Sequence, residues 1–357
     1  MNPGPTLSAL SPAAQELILA AVKVALIIPA LQGVFSLMTW IERRVLAFMQ
    51  FRLGPNRTGP FGILQPVADG IKLFFKEELT PAGANKALFV AAPALAVITA
   101  FLAVAVVPYG GSVTLPRWGW MPDWLEGRRI FLQIADLDVG VLFLFAISSL
   151  GVYGIVMAGW AANNKYTLIG GLRSSAQMFS YELALGLSFV SLILVAGSFR
   201  IHDIVDSQAG FFLFKWNAFR QLPAFAVFLV AATAEVNRTP FDLPEAETEL
   251  VAGFHTEYSS MRFALLQMAE YINMITASAV GANLFLGGWH FGITGVPDSP
   301  LWFIGKMLAF LFFFIWLRGT VPRFRYDQLM HFGWKVLVPV AMAWIFVAAA
   351  LVLWRHS

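Results

Sequence analysis

Long runs of apolar residues alternate with shorter polar stretches along almost the whole chain. The runs lie at about 14–40, 87–107, 138–160, 181–199, 222–236, 262–286, 301–318 and 334–354. Most of them are close to the roughly 20 residues that an α-helix needs to cross about 30 Å of hydrocarbon. The pattern predicts an all-α fold: a polytopic transmembrane helical bundle with about eight spans, forming a single integral membrane domain over 1–357.

One of the polar stretches, 41–86, has a pattern of its own. From Ile63 onward, apolar side chains recur at roughly helical spacing on the side opposite Asp69, Lys72 and Lys76. Such a sequence is typical of an amphipathic helix that lies in the membrane interface. We interpret 41–86 as a cytoplasmic loop that contains this helix, and the alternative is a solvated loop whose apolar face arises by chance.

Composition agrees with a membrane protein and narrows the possible chemistry. Hydrophobic residues make up 58% of the chain and charged residues only 13%, against about 25% charged residues in soluble proteins. The chain has no Cys, which excludes disulfides and thiolate-bound iron–sulfur clusters. Its five His are dispersed without metal-ligand spacing. We therefore expect no metal site and no redox centre on this chain.

The distribution of Lys and Arg predicts the orientation. Four polar stretches would share one face: 41–86, 161–180, 236–262 and 318–335. These stretches hold 15 Lys and Arg residues, against seven on the other face. By the positive-inside rule, the richer face is cytoplasmic, so both termini face the periplasm of a bacterial inner membrane. The first run lacks the preceding basic residues of a secretory signal, and we expect a retained span. Lys306, near the outer end of a span, is expected to snorkel.

Carboxylates are concentrated in and beside 236–262, which we interpret as an acidic cytoplasmic loop. Seven of the chain's 21 acids lie between Glu235 and Glu270. Glu270 lies in an otherwise apolar run, about 12 Å along a helix axis from Arg262, so we place it inside the bilayer. An ionised group there is costly unless it is paired, hydrated or protonated. Crowded carboxylates at this depth indicate proton transfer.

These acids extend into a predicted file from the cytoplasmic surface toward the middle of the membrane. Glu42 closes the first predicted span, Glu182 opens the fourth, and Asp69 and the acidic loop complete the file. Structural roles remain open alternatives. Glu42 could form an interfacial salt bridge with the neighbouring Arg43 and Arg44, and the acids of the loop could simply favour the start of a helix.

Four stretches carry a resemblance to a known family, and they occur in the family's order. They read WIERRVLAFMQFRLGPNRTGPFGILQPVADGIKLFFKEE, AANNKYTLIGGLRSSAQMFSYE, EVNRTPFDLPEAETELVAGFHTEYSSMRFALLQMAEY and RGTVPRFRYDQLMHFGWK. Together they resemble the cytoplasmic-side sequences of the H subunit of the proton-pumping NADH:quinone oxidoreductase, respiratory complex I. The resemblance spans about 39–335 and does not cover the outer segments 108–137 and 200–221.

The resemblance implies a subunit at the junction between the peripheral redox arm and the membrane arm of that complex. Its loops would complete the tunnel through which quinone reaches the last iron–sulfur cluster. Flavin, iron–sulfur clusters and the site for NAD would belong to partner subunits, so we expect no covalently bound cofactor and no catalytic residue here. The expected partners are the other membrane-arm and peripheral-arm subunits, quinone and lipids, and no nucleic acid.

The resemblance also implies roles for particular residues. The implied proton path comprises eight acids: Glu42, Asp69, Glu182, Glu235, Glu245, Glu247, Glu249 and Glu270. The implied quinone tunnel comprises Arg43, Phe61, Phe74 and Arg318.

Three other functions would account for part of the pattern. The equivalent subunit of a membrane-bound hydrogenase-type complex would share much of it. An ion-coupled secondary transporter commonly shows two related halves, and no such internal repeat is visible here. A scaffold that only anchors soluble partners gains nothing from a carboxylate as deep as Glu270.

Overall fold

The computed structural model describes residues 11–115, 117, 124, 126–244, 247–293 and 295–356. Each of the eight predicted apolar runs coincides with helix. The helices of the first half are α1 Pro12–Met49, α2 Gln65–Phe75, α3 Lys86–Val104, α4 Gly140–Ala161 and α5 Lys165–Ala196. The second half contains α6 Ile201–Asp206, α7 Phe212–Lys215, α8 Asn217–Arg220, α9 Leu222–Glu235, α10 Glu247–Leu250, α11 Ser260–Phe285, α12 Pro300–Thr320, α13 Tyr326–Phe332 and α14 Val338–His356.

The predicted class, an all-α polytopic membrane protein, is confirmed. Among the described residues, six helical segments have the length and apolar composition needed to cross a membrane: Pro12–Met49, Lys86–Val104, Gly140–Ala161, Lys165–Ala196, Pro300–Thr320 and Tyr326–Trp354. The other two predicted spans correspond to α9, which has 14 residues, and to α11, which has 26. The polar side chains of α11, such as Arg262, Glu270 and Asn273, lower its apolar character. The total of about eight crossings stays a prediction.

The start of α5 differs from the predicted boundary. The helix begins at Lys165 rather than near 181. At this start, the Asn164 side chain accepts a hydrogen bond from the backbone N–H of Tyr166 at 3.0 Å. Most of the stretch 161–180 is therefore helical and not a loop. The reason is that Ser174 and Gln177 are polar but fully buried, so hydropathy does not mark this part of the helix.

Two further elements complete the outline. The predicted amphipathic helix forms as α2, none of whose residues is buried, and the Ser260 hydroxyl donates to the backbone oxygen of Leu73 at 2.9 Å. Its position in a membrane interface stays a prediction.

A short antiparallel pair, β1 Ser112–Thr114 and β2 Arg129–Phe131, was not expected from the sequence. Short backbone-paired strands of three residues leave almost no signal of alternation.

The core lies where α3, α4, α5, α9 and α11 pack against one another. Aromatic contacts join these helices to one another and to a loop: the rings of Phe228 on α9 and Phe285 on α11 lie 4.8 Å apart, and Phe89 on α3 stacks at 4.1 Å on Tyr258, which precedes α11. We call the end of the bundle that carries segment 236–262 the loop end. The strand pair β1–β2 and the short helices α6, α7 and α8 lie toward the opposite end.

Candidate functional site

A buried ion cluster lies at the loop end, with Arg238 at its centre. The Arg238 Nη1 atom donates a hydrogen bond to Glu42 Oε1 at 2.8 Å, and its Nε lies 2.9 Å from Glu270 Oε1. Arg318 donates to the same oxygen of Glu42. The Arg238 guanidinium lies 4.4 Å from the centre of the Tyr271 ring. The cluster thus joins α1, α11 and α12 to the start of segment 236–262.

Charge compensation explains how this cluster can be buried. Arg238 is 5% exposed and Glu42 is 3% exposed, and a buried charge is tolerated only when it is paired. Two guanidinium groups face two carboxylates, so the formal charge of the cluster is zero. Burial alone would lower the pKa of Arg238, but Glu270 and Glu42 raise that pKa above its ordinary value. Arg238 is therefore a permanent cation.

Glu235 and Glu270 face a common cavity. A space of about 40 Å³ is lined by both carboxylates and by Asn237 and Asn273. A second space of about 50 Å³ continues from Glu235 and Asn273 toward Ser148. Each exceeds the roughly 15 Å³ that one water molecule requires, and each offers polar partners for it. Polar side chains thus line the space that both acids share, and a proton path through it stays a prediction.

Glu182 lies near this cavity, on α5. It is 8% exposed, and it is close enough to Glu235 for the two charges to interact. The same end of the core therefore holds four of the eight predicted path residues: Glu42, Glu182, Glu235 and Glu270.

The other predicted path residues lie apart from the cavity or outside the described residues. Asp69 is at the surface, where its carboxylate accepts a hydrogen bond from Arg43 at 2.5 Å. Glu249 pairs with Arg173 at 2.6 Å, and its side chain is half exposed. Glu245 lies outside the described residues. For Glu247 the backbone begins α10, but its side chain also lies outside the described part.

The predicted tunnel residues occupy two places. Phe61 and Phe74 are 75% and 68% exposed and lie on the outer side of segment 41–86. Arg44 donates to the backbone oxygen of Phe61 at 2.7 Å. Arg43 is on this same surface, beside a groove of about 390 Å³. Arg318 instead lies in the ion cluster, where it pairs with Glu42.

Sequence reasoning missed several polar groups of the site. Arg238 enters the sequence analysis only through the count of Lys and Arg in 236–262, and counting gives no sign that its side chain turns inward. Asp242 pairs with Arg323 at 2.7 Å. Burial raises the pKa of Asp242 more than Arg323 lowers it. The sequence signal for this contact consists of two short motifs, R-T-P-F-D at 238–242 and P-R-F-R at 322–325. In the structure they lie side by side, and the rings of Phe241 and Phe324 stack at 5.6 Å.

Lys306 has specific partners at the end of the bundle opposite the loop end, and the expectation that it snorkels stays a prediction. Its Nζ donates to the backbone oxygens of Leu286, Gly288 and His290 at 2.6, 2.9 and 2.5 Å. It also lies 4.3 Å from the Trp216 ring centre. The carbonyl groups that remain unpaired after the end of a helix are good partners for a cation, and here they fix the position of the Lys306 ammonium.

Comparisons with known proteins place the chain in a family. Residues 22–349 match the family model described as NADH dehydrogenase. The chain is 50% identical over 348 residues to the NADH-quinone oxidoreductase H subunit 1 of Geobacter metallireducens, covering 97% of this chain and 100% of the relative. The chain belongs to the family of NADH-quinone oxidoreductase H subunits.

Two more members of the H-subunit family show a similar extent of similarity. The H subunit 2 of Koribacter versatilis is 49% identical over 348 residues, which is 94% of this chain and 97% of the relative. The H subunit 2 of Geobacter sulfurreducens is 52% identical over 321 residues, which is 90% and 92% of the two chains. The family resemblance that the four sequence stretches predicted is confirmed.

Proposed function

We propose that this chain is the membrane subunit of an NADH-quinone oxidoreductase that forms part of the quinone-access tunnel and couples quinone reduction to proton translocation. The observation that carries the proposal is the placement of Glu235 and Glu270 against one cavity that Asn237 and Asn273 also line, inside a member of the H-subunit family. The similar proteins are named for this enzyme, which favours it over a hydrogenase-type complex or a secondary transporter.

The proposed proton path uses the buried acids. Glu235 and Glu270 exchange protons through water in the cavity between them, and Glu182 extends the path along α5. Arg238 holds Glu42 and Glu270 in place and offsets their charge. Where two carboxylates interact, as Glu182 and Glu235 do, a change in charge at one shifts the protonation of the other. Asp69 and the loop acids Glu245, Glu247 and Glu249 are proposed as the surface part of the path.

The proposed tunnel runs along the exposed face of segment 41–86. Phe61 and Phe74 present apolar rings that suit an isoprenoid tail, and Arg43 supplies a donor for a polar headgroup. A partner subunit would cover this face and carry the ligands of the quinone headgroup. Arg318 would transmit a change of charge in the tunnel to Glu42, because the two side chains are hydrogen-bonded.

The proposed setting is a bacterial inner membrane, with the loop end in the cytoplasm and both termini in the periplasm. The excess of Lys and Arg in the polar stretches of the loop end supports this orientation. The other subunits of the complex would hold NAD, flavin and iron–sulfur clusters. This chain contains no Cys, and among the described residues no group of three or more His, Asp or Glu could hold a metal ion.

The proposal is tested by Glu235→Gln in the assembled complex. We expect quinone reduction by NADH to fall roughly tenfold or more, as for loss of a proton-transfer group. Oxidation of NADH with ferricyanide should continue at the wild-type rate, because that reaction does not require the proton path. Glu77→Gln, which changes an exposed acid of segment 41–86, is the matched control.

Two results would contradict the proposal. Wild-type quinone reduction in Glu235→Gln would remove this residue from the path. Loss of both activities together with failed assembly would mark the residue as structural.

A further inference from the structure

A groove at the end of the bundle opposite the loop end is not used by the proposed function. It has a volume of about 400 Å³ and lies between the end of α5, the start of α9 and the last part of α14. This volume lies within the range of roughly 300–1,000 Å³ that is typical of small-ligand sites. Its walls are mainly aliphatic, with Leu194, Val195, Ala348, Leu351 and Val352 among them.

The depth of this groove corresponds to a membrane surface. Helix α5 starts at the loop end, where Asn164 donates to Glu257 at 2.6 Å. Its 32 residues extend about 48 Å along the axis and end beside the groove at Gly197. A bilayer including its headgroups is about 40–45 Å thick. The groove is therefore at the level of the headgroups of the far leaflet.

Three polar groups point to the chemistry of a ligand. Gln221 is only 2% exposed. Neither its amide oxygen nor its amide nitrogen has a hydrogen-bond partner among the described residues, and the same is true of the buried indole nitrogen of Trp344. Buried polar groups are normally paired. Arg220, the neighbouring residue in the lining, adds a positive charge.

These groups match one class of molecule. The N–H donors of Gln221 and Trp344 and the Arg220 guanidinium suit an oxyanion, and Arg is well adapted to phosphate. The aliphatic walls on membrane-spanning helices suit a hydrocarbon chain. We propose that this groove binds a phospholipid of the far leaflet, with its phosphodiester at Gln221 and Arg220 and an acyl chain along α14. Free phosphate would leave the apolar walls uncovered.

The first test uses the purified whole complex and a photoactivatable phosphatidylglycerol. We expect crosslinks to the part of α14 around Leu351 and Val352, which excess phosphatidylglycerol suppresses and an equal concentration of inorganic phosphate does not. Gln221→Leu and Arg220→Gln should each reduce crosslinking about tenfold or more, as expected for the loss of one charge-assisted hydrogen bond. Lys215→Gln, which removes an exposed cation nearby, is the control and should leave crosslinking unchanged.

A second measurement distinguishes a bound lipid from an empty groove. Gln221→Leu keeps the volume of the side chain but removes two polar atoms. If the phosphodiester of a phospholipid accepts a hydrogen bond from the Gln221 amide nitrogen, the variant should release this subunit from the complex at a lower temperature than wild type in phospholipid nanodiscs. If the groove holds no polar ligand, the variant should be equally or more stable, because unsatisfied groups have been removed.

Several outcomes would overturn the proposal. These are equal crosslinking in wild type and Gln221→Leu, suppression by inorganic phosphate, equal or higher stability of Gln221→Leu, and crosslinks only to another subunit that covers the groove.

Discussion

Arg238 shows how one side chain can organise a buried site. Its two carboxylate partners come from helices that are far apart in sequence, Glu42 on α1 and Glu270 on α11. The depth of Glu270 was predictable by counting residues along a helix. Its cationic partner was not, because the direction of a loop side chain depends on tertiary packing that the sequence pattern does not encode.

Removal of this cation should be strongly destabilising. Arg238→Gln would leave the buried Glu42 carboxylate and the half-buried Glu270 carboxylate without their shared partner. Removal of one partner of a buried ion pair costs about 3–5 kcal/mol. We expect this subunit to dissociate from the complex at a clearly lower temperature, or to fail to assemble. Arg57→Gln changes an exposed cation of segment 41–86 and should behave as wild type. Equal stability of the two variants would show that the cluster does not need Arg238.

His255 provides a pH-dependent contact in the same region. It lies between the rings of Phe254 and Phe263, with centres 5.0 and 5.3 Å away, and burial lowers its pKa to about 4. The fold therefore favours the neutral imidazole. Its contribution to stability is complete above the unfolded pKa of about 6.5 and is lost as the pH falls toward 4.

The expected effect is local opening of the turn Gly253–His255 in acid. Between pH 7 and pH 5 the turn should lose about 2 kcal/mol of stability, which hydrogen exchange of peptides covering 250–263 would detect. His255→Gln should abolish this pH dependence, whereas His331→Gln, an exposed histidine, should retain it. Protection that is the same at both pH values in wild type would contradict the assignment.

At the scale of elements, close backbone packing fixes where α5 meets its neighbours. A Cβ atom on Gly170 would lie 2.8 Å from the backbone nitrogen of Phe254, and one on Gly159 would lie 2.6 Å from the backbone oxygen of Thr167. The positions of the helices could be predicted from apolar runs. The extension of α5 through 165–180 could not, because its buried face is built from Gly, Ser and Gln rather than from apolar side chains.

A substitution at this contact tests its importance. Gly170→Ala should push segment 253–254 away from α5 and destabilise the subunit by about 1–3 kcal/mol, as overpacking does. The same replacement at Gly305 on α12 meets no atom within 4 Å and should not destabilise the subunit, because Ala is favoured over Gly inside a helix. Thermal dissociation of the two variant complexes gives the comparison. If Gly170→Ala were as stable as Gly305→Ala, the close contact would have no energetic role.

At the scale of the whole molecule, the two ends of the bundle carry different chemistry. The loop end holds the ion cluster and the acids around the cavity. The opposite end holds Lys306 against backbone carbonyls and the groove beside Gln221. The asymmetry of Lys and Arg predicted that the ends would differ. It could not predict which polar side chains turn inward, because that depends on helix ends that become neighbours only in the folded bundle.

The predicted orientation can be checked directly, because the chain has no Cys. Single-cysteine variants Glu77→Cys at the loop end and Lys215→Cys at the opposite end both change exposed residues. A membrane-impermeant maleimide added to intact spheroplasts should label Lys215→Cys and leave Glu77→Cys unlabelled until the membrane is broken. The reverse pattern would place the loop end in the periplasm.

The neutrality of the ion cluster has an electrostatic consequence for the protein around it. While both Arg and both Glu are ionised, the cluster has no monopole, and its potential decays steeply with distance. Binding or release of a single proton would give it one uncompensated elementary charge, whose Coulomb potential decays only as the inverse of distance and is weakly screened in a poorly polarisable interior. A four-residue group can thereby change from electrically silent to long-ranged through one protonation event.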